Sequence, residues 1–289
     1  MQRLNISHLT EYQFAQPVTL NPHRLFLRPR EGHDVRITSS ALTISPAYQT
    51  KWHRDVYDNS VAIVTFDEPA DRLSILSEVV IEHFDDAPLD FVVRDYAVSY
   101  PFNYRDNVQV DLAPYLQPVY PADEASVRQW IQALGLNNAI EQTMIESYVL
   151  LDRLNQAIAS DFQYVVREEV GVQTPSQTLH DKRGSCRDFA ALFMETCRHL
   201  HLASRFVSGY LHAPATEAGN GATHAWAEVY LPGPGWKGFD PTIGQVTGTQ
   251  HIAVAVARQP EAVPPVSGSF VGPAGMLPTL TVNVRVNAI

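Results

Sequence analysis

Thr178-Leu-His-Asp-Lys-Arg-Gly-Ser-Cys-Arg-Asp-Phe-Ala-Ala-Leu-Phe-Met-Glu-Thr196 is a loop that turns into a helix with a cysteine at the junction. Gly184 is flexible and Ser185 is a helix-capping residue, while Phe189, Leu192, Phe193 and Thr196 recur at helical spacing on one face. The spacing predicts Cys186 in a first helical turn. A thiol there sits over unpaired backbone N–H groups and the positive end of the helix dipole, both of which favour thiolate. The same N–H groups suit an oxyanion. The competing reading is a small buried filler, since free cysteine is among the most buried residue types.

Outward from this stretch, the 289 residues are 45% hydrophobic, enough for one large core or two ordinary ones, and two domains are expected. Asp and Glu number 31 against 21 Lys and Arg, a net charge of −10 with no long basic run. Nucleic acid and anionic membrane surfaces are therefore poor partners. The N-terminus alternates, and no stretch approaches the roughly 18 apolar residues of a membrane span, so a cytoplasmic address is expected. The other cysteine, Cys197, lies on the same predicted helix at roughly 16 Å from Cys186. The two cannot bridge without breaking that helix, and their spacing fits no zinc pattern.

Residues 1 to about 100 read as strands of period two: Leu4, Ile6 and His8 on one face, then Arg24–Arg28, Val35–Ile44, Val61–Phe66 and Ser74–Phe84. Turn residues separate them, among them Gln16-Pro17 and Tyr57-Asp58-Asn59-Ser60. This spacing predicts an antiparallel sandwich or small barrel. Pro101 to Pro121 reads as an irregular link. Helices are expected after Asp123, with Val127, Trp130 and Ile131, and through Met144, Tyr148, Leu151, Leu154 and Ile158. Beyond the cysteine helix, Ser204–Leu211 and Gly221–Leu231 alternate as strands around a small-residue loop at 213–221. Pro232-Gly-Pro-Gly235 reverses the chain into Trp236–Asp240, and further strands are expected at 251–256 and 279–286. The order predicts an α+β fold: an N-terminal antiparallel β-sandwich-like domain over residues 1–105, then helices packed on an antiparallel sheet over 106–289, the C-terminal strands included.

His224, Trp226 and Glu228 share one face of their strand, and Ala225, Ala227 and Val229 the other. The following hairpin brings Asp240 beside that strand, where a carboxylate would fix an imidazole's tautomer. This requires residues paired across the turn to have numbers with an even sum; otherwise Asp240 faces away from His224. A thiol at a helix start, a histidine on one strand and an aspartate on the next are the parts of an activated thiol nucleophile.

Gly184-Ser-Cys-Arg-Asp-Phe-Ala190, Arg205-Phe-Val-Ser-Gly-Tyr-Leu211, Thr223-His-Ala-Trp-Ala-Glu-Val-Tyr230 and Gly238-Phe-Asp-Pro-Thr242 together resemble the bacterial transglutaminase-like superfamily of candidate cysteine proteases. The β-rich first part resembles the N-terminal domain that accompanies this core. The resemblance implies a papain-like core with Cys186 as nucleophile, His224 as base and Asp240 as orienting carboxylate. The segment 256–265 departs from the family pattern, with Gln259-Pro260 where Asp-Tyr is usual.

The expected chemistry is acyl transfer through a thioester, with hydrolysis of a peptide or amide bond favoured because crosslinking needs a second site that admits an amine and excludes water. The alternatives are a protein-glutamine crosslinking transglutaminase and a non-catalytic binding or assembly module. The Cys186 N–H is the expected oxyanion donor, with Gln163, Tyr164 and Trp226 as candidates for a second. Asp188 suits the helix dipole but opposes a neighbouring thiolate, so its side chain is expected to turn aside to Arg187, Arg205 or a backbone group. No cofactor is expected, and calcium control is not expected in the absence of a ligand-spaced acidic loop. A metal hydrolase using His180, His199, His201, His212 or His224 lacks a helical His-x-x-x-His pair. The expected partner is a peptide or protein substrate; oligomeric state is open.

Overall fold

The computed structural model describes residues 1–84, 89–136, 141, 143–167, 169–212 and 223–289. Strands β1 (Gln2–Leu20), β2 (His23–Leu25), β3 (Val35–Ser45), β4 (Tyr48–Arg54), β5 (Ser60–Phe66) and β6 (Ala70–His83) come first. Helices α1 (Asp106–Leu116), α2 (Glu124–Ala133), α3 (Ser147–Asp161), α4 (Pro175–Asp181) and α5 (Cys186–His199) follow. The chain then forms β7 (Ser204–Leu211), β8 (His224–Leu231), β9 (Gly235–Asp240), β10 (Gln245–Val246), β11 (His251–Ala257), β12 (Val266–Ser267), β13 (Phe270–Val271) and β14 (Thr279–Ala288). The loop expected at 213–221 lies outside the described residues, as do the first residues of the strand expected from Gly221.

The expected α+β architecture is present. One N-terminal sheet has the order β13–β1–β6–β3, with β14 also on β1; the other runs β12–β2–β5–β4. Phe14 and Leu73 from the first sheet meet Leu25 and Val64 from the second in a shared core, as the period-two pattern requires of a sandwich. The third sheet, β10–β9–β8–β7–β11, is antiparallel throughout. Helix α5 lies on it, with Phe189, Leu192 and Phe193 in the same core as Ala225, Ala227, Val229 and Phe239. Phe193 stacks on Phe239 with ring centroids 5.5 Å apart.

Several local expectations are corrected. Gln16-Pro17 is no turn: β1 continues to Leu20, and its pairing with β6 shifts between Gln13 and Val18, where proline has no N–H for the ladder. Strand β4 carries mostly exposed side chains on an edge, so its sequence lacks a hydrophobic alternation. The supposed link holds α1, with Pro114 inside it and Leu112 buried against Tyr104 and Ala203. Met144 precedes α3 and is 76% exposed. Of the two late strands expected, β11 joins the sheet that carries His224 and β14 does not. Strand β14 pairs with β1 from Leu4↔Ala288 to Gln13↔Thr279, so the chain's end closes onto its start.

The two halves meet along β11, an edge strand whose unpaired backbone groups are taken up by N-terminal residues. Asn59 is fully buried there; its amide donates to Val256 O (2.8 Å) and its Oδ1 accepts from Val256 N–H (2.9 Å). The Arg30 N–H donates to Ala253 O at 2.8 Å. His8 and Tyr210 bond across the same interface, Nδ1 to Oη at 3.0 Å. Among the described residues, no helix is long and apolar enough to cross a membrane.

Candidate active site

Ser185 adopts the extended N-cap conformation and Cys186 opens α5. Asp188 in the first turn is fully buried and ringed by donors. Its Oδ2 accepts from the Ser185 N–H (2.8 Å) and Oγ–H (2.7 Å), and its Oδ1 from the Gln173 N–H (2.8 Å) and the Arg167 guanidinium (2.6 Å). Burial alone would raise the proton affinity of this carboxyl, but the Arg167 bond and the Ser185 and Gln173 donors outweigh it and hold Asp188 below its ordinary range. The sideways role is thus present, with a different cation. Arg187 instead donates to the carbonyls of Arg167 and Glu169, and Arg205 pairs with Glu228 at 2.6 Å. Gly184 must be a glycine, because a Cβ there would lie 2.9 Å from Asp188 Cβ and 3.1 Å from the Phe189 ring.

The parity condition holds: Ala227 pairs with Phe239 and Glu228 with Gly238, both even sums. Asp240 therefore shares the face of His224. Both are buried, and His224 Nε2 donates to Asp240 Oδ2 at 2.6 Å, while Oδ1 accepts from the Thr242 N–H at 2.9 Å. Burial lowers the proton affinity of His224, but the adjacent Asp240 carboxylate, with a smaller contribution from Cys186, overrides it and raises the imidazole to about 10. Burial acts the opposite way on Asp240 and is outweighed by His224 and His251, so its carboxyl stays well below the usual range. Among the described residues His224 Nδ1 makes no hydrogen bond of ordinary geometry, and its ring lines one cleft of about 600 Å³ together with Cys186. Cys186 is half-buried, whereas Cys197 is buried and its thiol is pushed far above the ordinary value by burial.

His251 is the residue that sequence reasoning missed. Its Nδ1 accepts from the Gly248 N–H at 3.4 Å, which leaves the proton on Nε2, and Nε2–H donates to Asp240 Oδ2 at 3.0 Å. Its carbonyl accepts from His83 Nε2 at 3.3 Å, a link to the N-terminal sandwich. The only local signal was a histidine at the start of an alternating strand. His224, Asp240 and His251 offer ligand atoms within 4.8 Å of one another. With both imidazoles donating through Nε2–H, the three groups form a hydrogen-bonded cluster centred on one Asp240 oxygen.

The supporting candidates separate. Tyr164 is half-buried beside Gly184; burial first, then the charges of Cys186 and Asp240, push its phenol up to about 12. Gln163 is exposed in a short parallel ladder with Arg183 and does not line the cleft. Trp226 is fully buried behind the pair, its ring centroid 6.2 Å from His224 and 5.2 Å from His251. It packs over Gly209, where a Cβ would come within 2.6 Å of the indole. Among the described residues its Nε1 has no hydrogen-bond partner, and it does not line the cleft.

An antiparallel sheet bearing a buried imidazole–carboxylate pair, with a cysteine-initiated helix packed on it, defines an α+β thiol-site class. The chain belongs to the transglutaminase-like superfamily: that superfamily's model matches residues 136–241, and that of the bacterial transglutaminase-like N-terminal region matches residues 4–82. An uncharacterised protein of Mycobacterium tuberculosis is 30% identical over 280 residues, 92% of this chain and 87% of its own length. One from Mycobacterium leprae is 24% identical over 276 residues, 94% of each. A solved structure of a candidate cysteine protease from Cytophaga hutchinsonii shares the fold, with a TM-score of 0.73 at 18% identity over 100% of this chain and 91% of that one.

Proposed function

We propose that this protein hydrolyses a peptide or amide bond by acyl transfer through Cys186, with His224 as proton carrier and Asp240 as its orienting carboxylate. The observation that carries the reading is the buried 2.6 Å His224–Asp240 bond beside a half-buried thiol on one cleft wall. Cys186 Sγ attacks the carbonyl carbon, and the developing oxyanion lies towards the first-turn N–H groups of α5. The His224 imidazolium gives its proton to the leaving amine, which departs as the thioester forms. Water then loses a proton to neutral His224, attacks the thioester and releases the acid, restoring the starting pair. Hydrolysis is favoured over transfer to an amine because water needs no second subsite. We place the division between sandwich and catalytic half near residue 105, with β12 to β14 kept on the sandwich side. Two free thiols suit a reducing, cytoplasmic compartment.

The test is amine release from a broad set of peptides and amides. Wild type is expected to turn over at least one of them, and Cys186→Ala to lose at least about 10³-fold, in keeping with removal of a nucleophile. Equal rates for the two proteins sink the proposal, and no turnover by either favours the binding module.

His251 has a positioning role in this scheme, since it holds the Asp240 oxygen that also receives His224. A hydrogen bond to a charged group contributes about 1.5–3 kcal/mol, so His251→Phe is expected to lower kcat about 10-fold or more with KM little changed. His251→Gln, which keeps an N–H donor, is expected to recover part of the loss. A change confined to KM, or equal kcat for the two variants, rules the role out.

A further inference from the structure

The cleft bordered by Cys186 and His224 is not built by the catalytic half alone. One wall is the sandwich: His8, Thr10 and Tyr12 from β1 with Leu280 and Val282 from β14. The register sets Thr10 opposite Val282 and Tyr12 opposite Leu280, so these side chains share one face. That face closes at its inner end, where His8 is 1% exposed and held by Tyr210, and opens at its outer end, where Val282 is 40% and Leu280 53% exposed. Pro264, Pro265 and Val266 continue the apolar lining on the strap that leads into β12. Cys186 lines the same space.

Charge is scarce there. Among the described lining residues, the charged side chains apart from the Cys186–His224 pair are Arg187 and Glu261, and the Arg187 guanidinium is already engaged by two backbone carbonyls. Neither stands on the β1/β14 wall. A charged substrate group on that wall would lose water and gain no partner, whereas an apolar group removes exposed valine and leucine surface from water along with its own.

Resting on the acyl-transfer reading above, we infer that the cleft selects substrates carrying a leucine- or phenylalanine-sized apolar group next to the scissile bond, seated on the β1/β14 wall with Leu280 and Val282 as specificity-determining residues. Both side chains are exposed on an edge strand, so polar replacements are compatible with the fold.

The experiment compares three alkylating probes with the same reactive carbon on the full chain: iodoacetamide, N-benzyl iodoacetamide and N-(carboxymethyl) iodoacetamide. Rates of Cys186 labelling are followed by intact-mass and peptide analysis, corrected for reactivity with free glutathione, and divided by the iodoacetamide rate on the same variant. Wild type is expected to favour the benzyl over the carboxymethyl probe by about 10-fold or more, in the range an apolar pocket supplies. Val282→Lys and Leu280→Glu are each expected to cut that ratio several-fold, and Val282→Lys to accelerate the carboxymethyl probe. A ratio near one in wild type, or one unmoved by both variants, overturns the inference while leaving the thiol reading in place. If iodoacetamide labels Cys186 no faster than Cys197, the acyl-transfer reading falls and this inference falls with it.

Discussion

His224→Gln is expected to slow alkylation of Cys186 by iodoacetamide at pH 6 by about 10- to 100-fold. An ordinary thiol is about 0.3% ionised at that pH, so a neighbouring imidazolium that favours the thiolate has wide room to raise the rate. Part of that gain is offset, because nucleophilicity falls with basicity along a Brønsted slope of about 0.4–0.5. The imidazolium persists because Asp240 outweighs the burial penalty and raises His224 to about 10. The wild-type advantage over the variant is therefore expected to be largest at acidic pH, where His224 is fully protonated, and to shrink as pH rises towards about 10. Cys197 is the internal control, since burial keeps its thiol protonated. Equal rates for wild type and variant at pH 6 would refute the ion pair.

The same pair has a stability signature with a definite sign. The folded-state value for His224 lies above the ordinary 6.5, so the stabilisation from its proton is fully present below pH 6.5 and is lost as pH rises through about 10. Asp240 is depressed below 3.8, so its contribution is present above that pH and is lost as pH falls through its lower folded-state value. Urea midpoints measured across this range should show both limbs, with the alkaline limb absent in His224→Gln.

Asp188→Ala is expected to cost about 3–5 kcal/mol, because it strands the Arg167 cation and uncovers the Ser185 and Gln173 donors in a buried site. A chain of this size should then melt about 5–8 °C lower. The damage is mechanical as well as electrostatic. Asp188 ties the N-cap of α5 to the 167–173 segment, so its loss loosens the turn that presents Cys186. Asp188→Asn keeps one acceptor but turns an NH₂ group towards donors, and a smaller loss is expected. A melting temperature within about 2 °C of wild type for Asp188→Ala would show that the site relaxes and the network is dispensable.

Much of the site was legible in the chain because its signals are local. A capping residue and 3.6-residue recurrence place Cys186 at a helix start, and alternation with a tight hairpin brings Asp240 onto the face of His224. Periodicity and parity belong to the backbone, so they survive in the sequence. Asp188 shows where this ends: its helix-start geometry was readable, but its cation was Arg167 rather than Arg187 or Arg205. The choice among three arginines depends on how a loop folds back, and no spacing rule encodes that.

The sequence alone thus determined the fold class, the helix that begins at Cys186 and the strand pair that carries His224 and Asp240. Tertiary structure decided which elements surround them. It brought His251 to the second donor position on Asp240, had Asn59 and Arg30 cap the edge of β11, and returned β14 to β1, where the two make one wall of the cleft. A strand's alternation states which face is apolar but not which strand or sheet will cover it. That choice is made by packing and hydrogen-bond satisfaction between segments far apart in the chain.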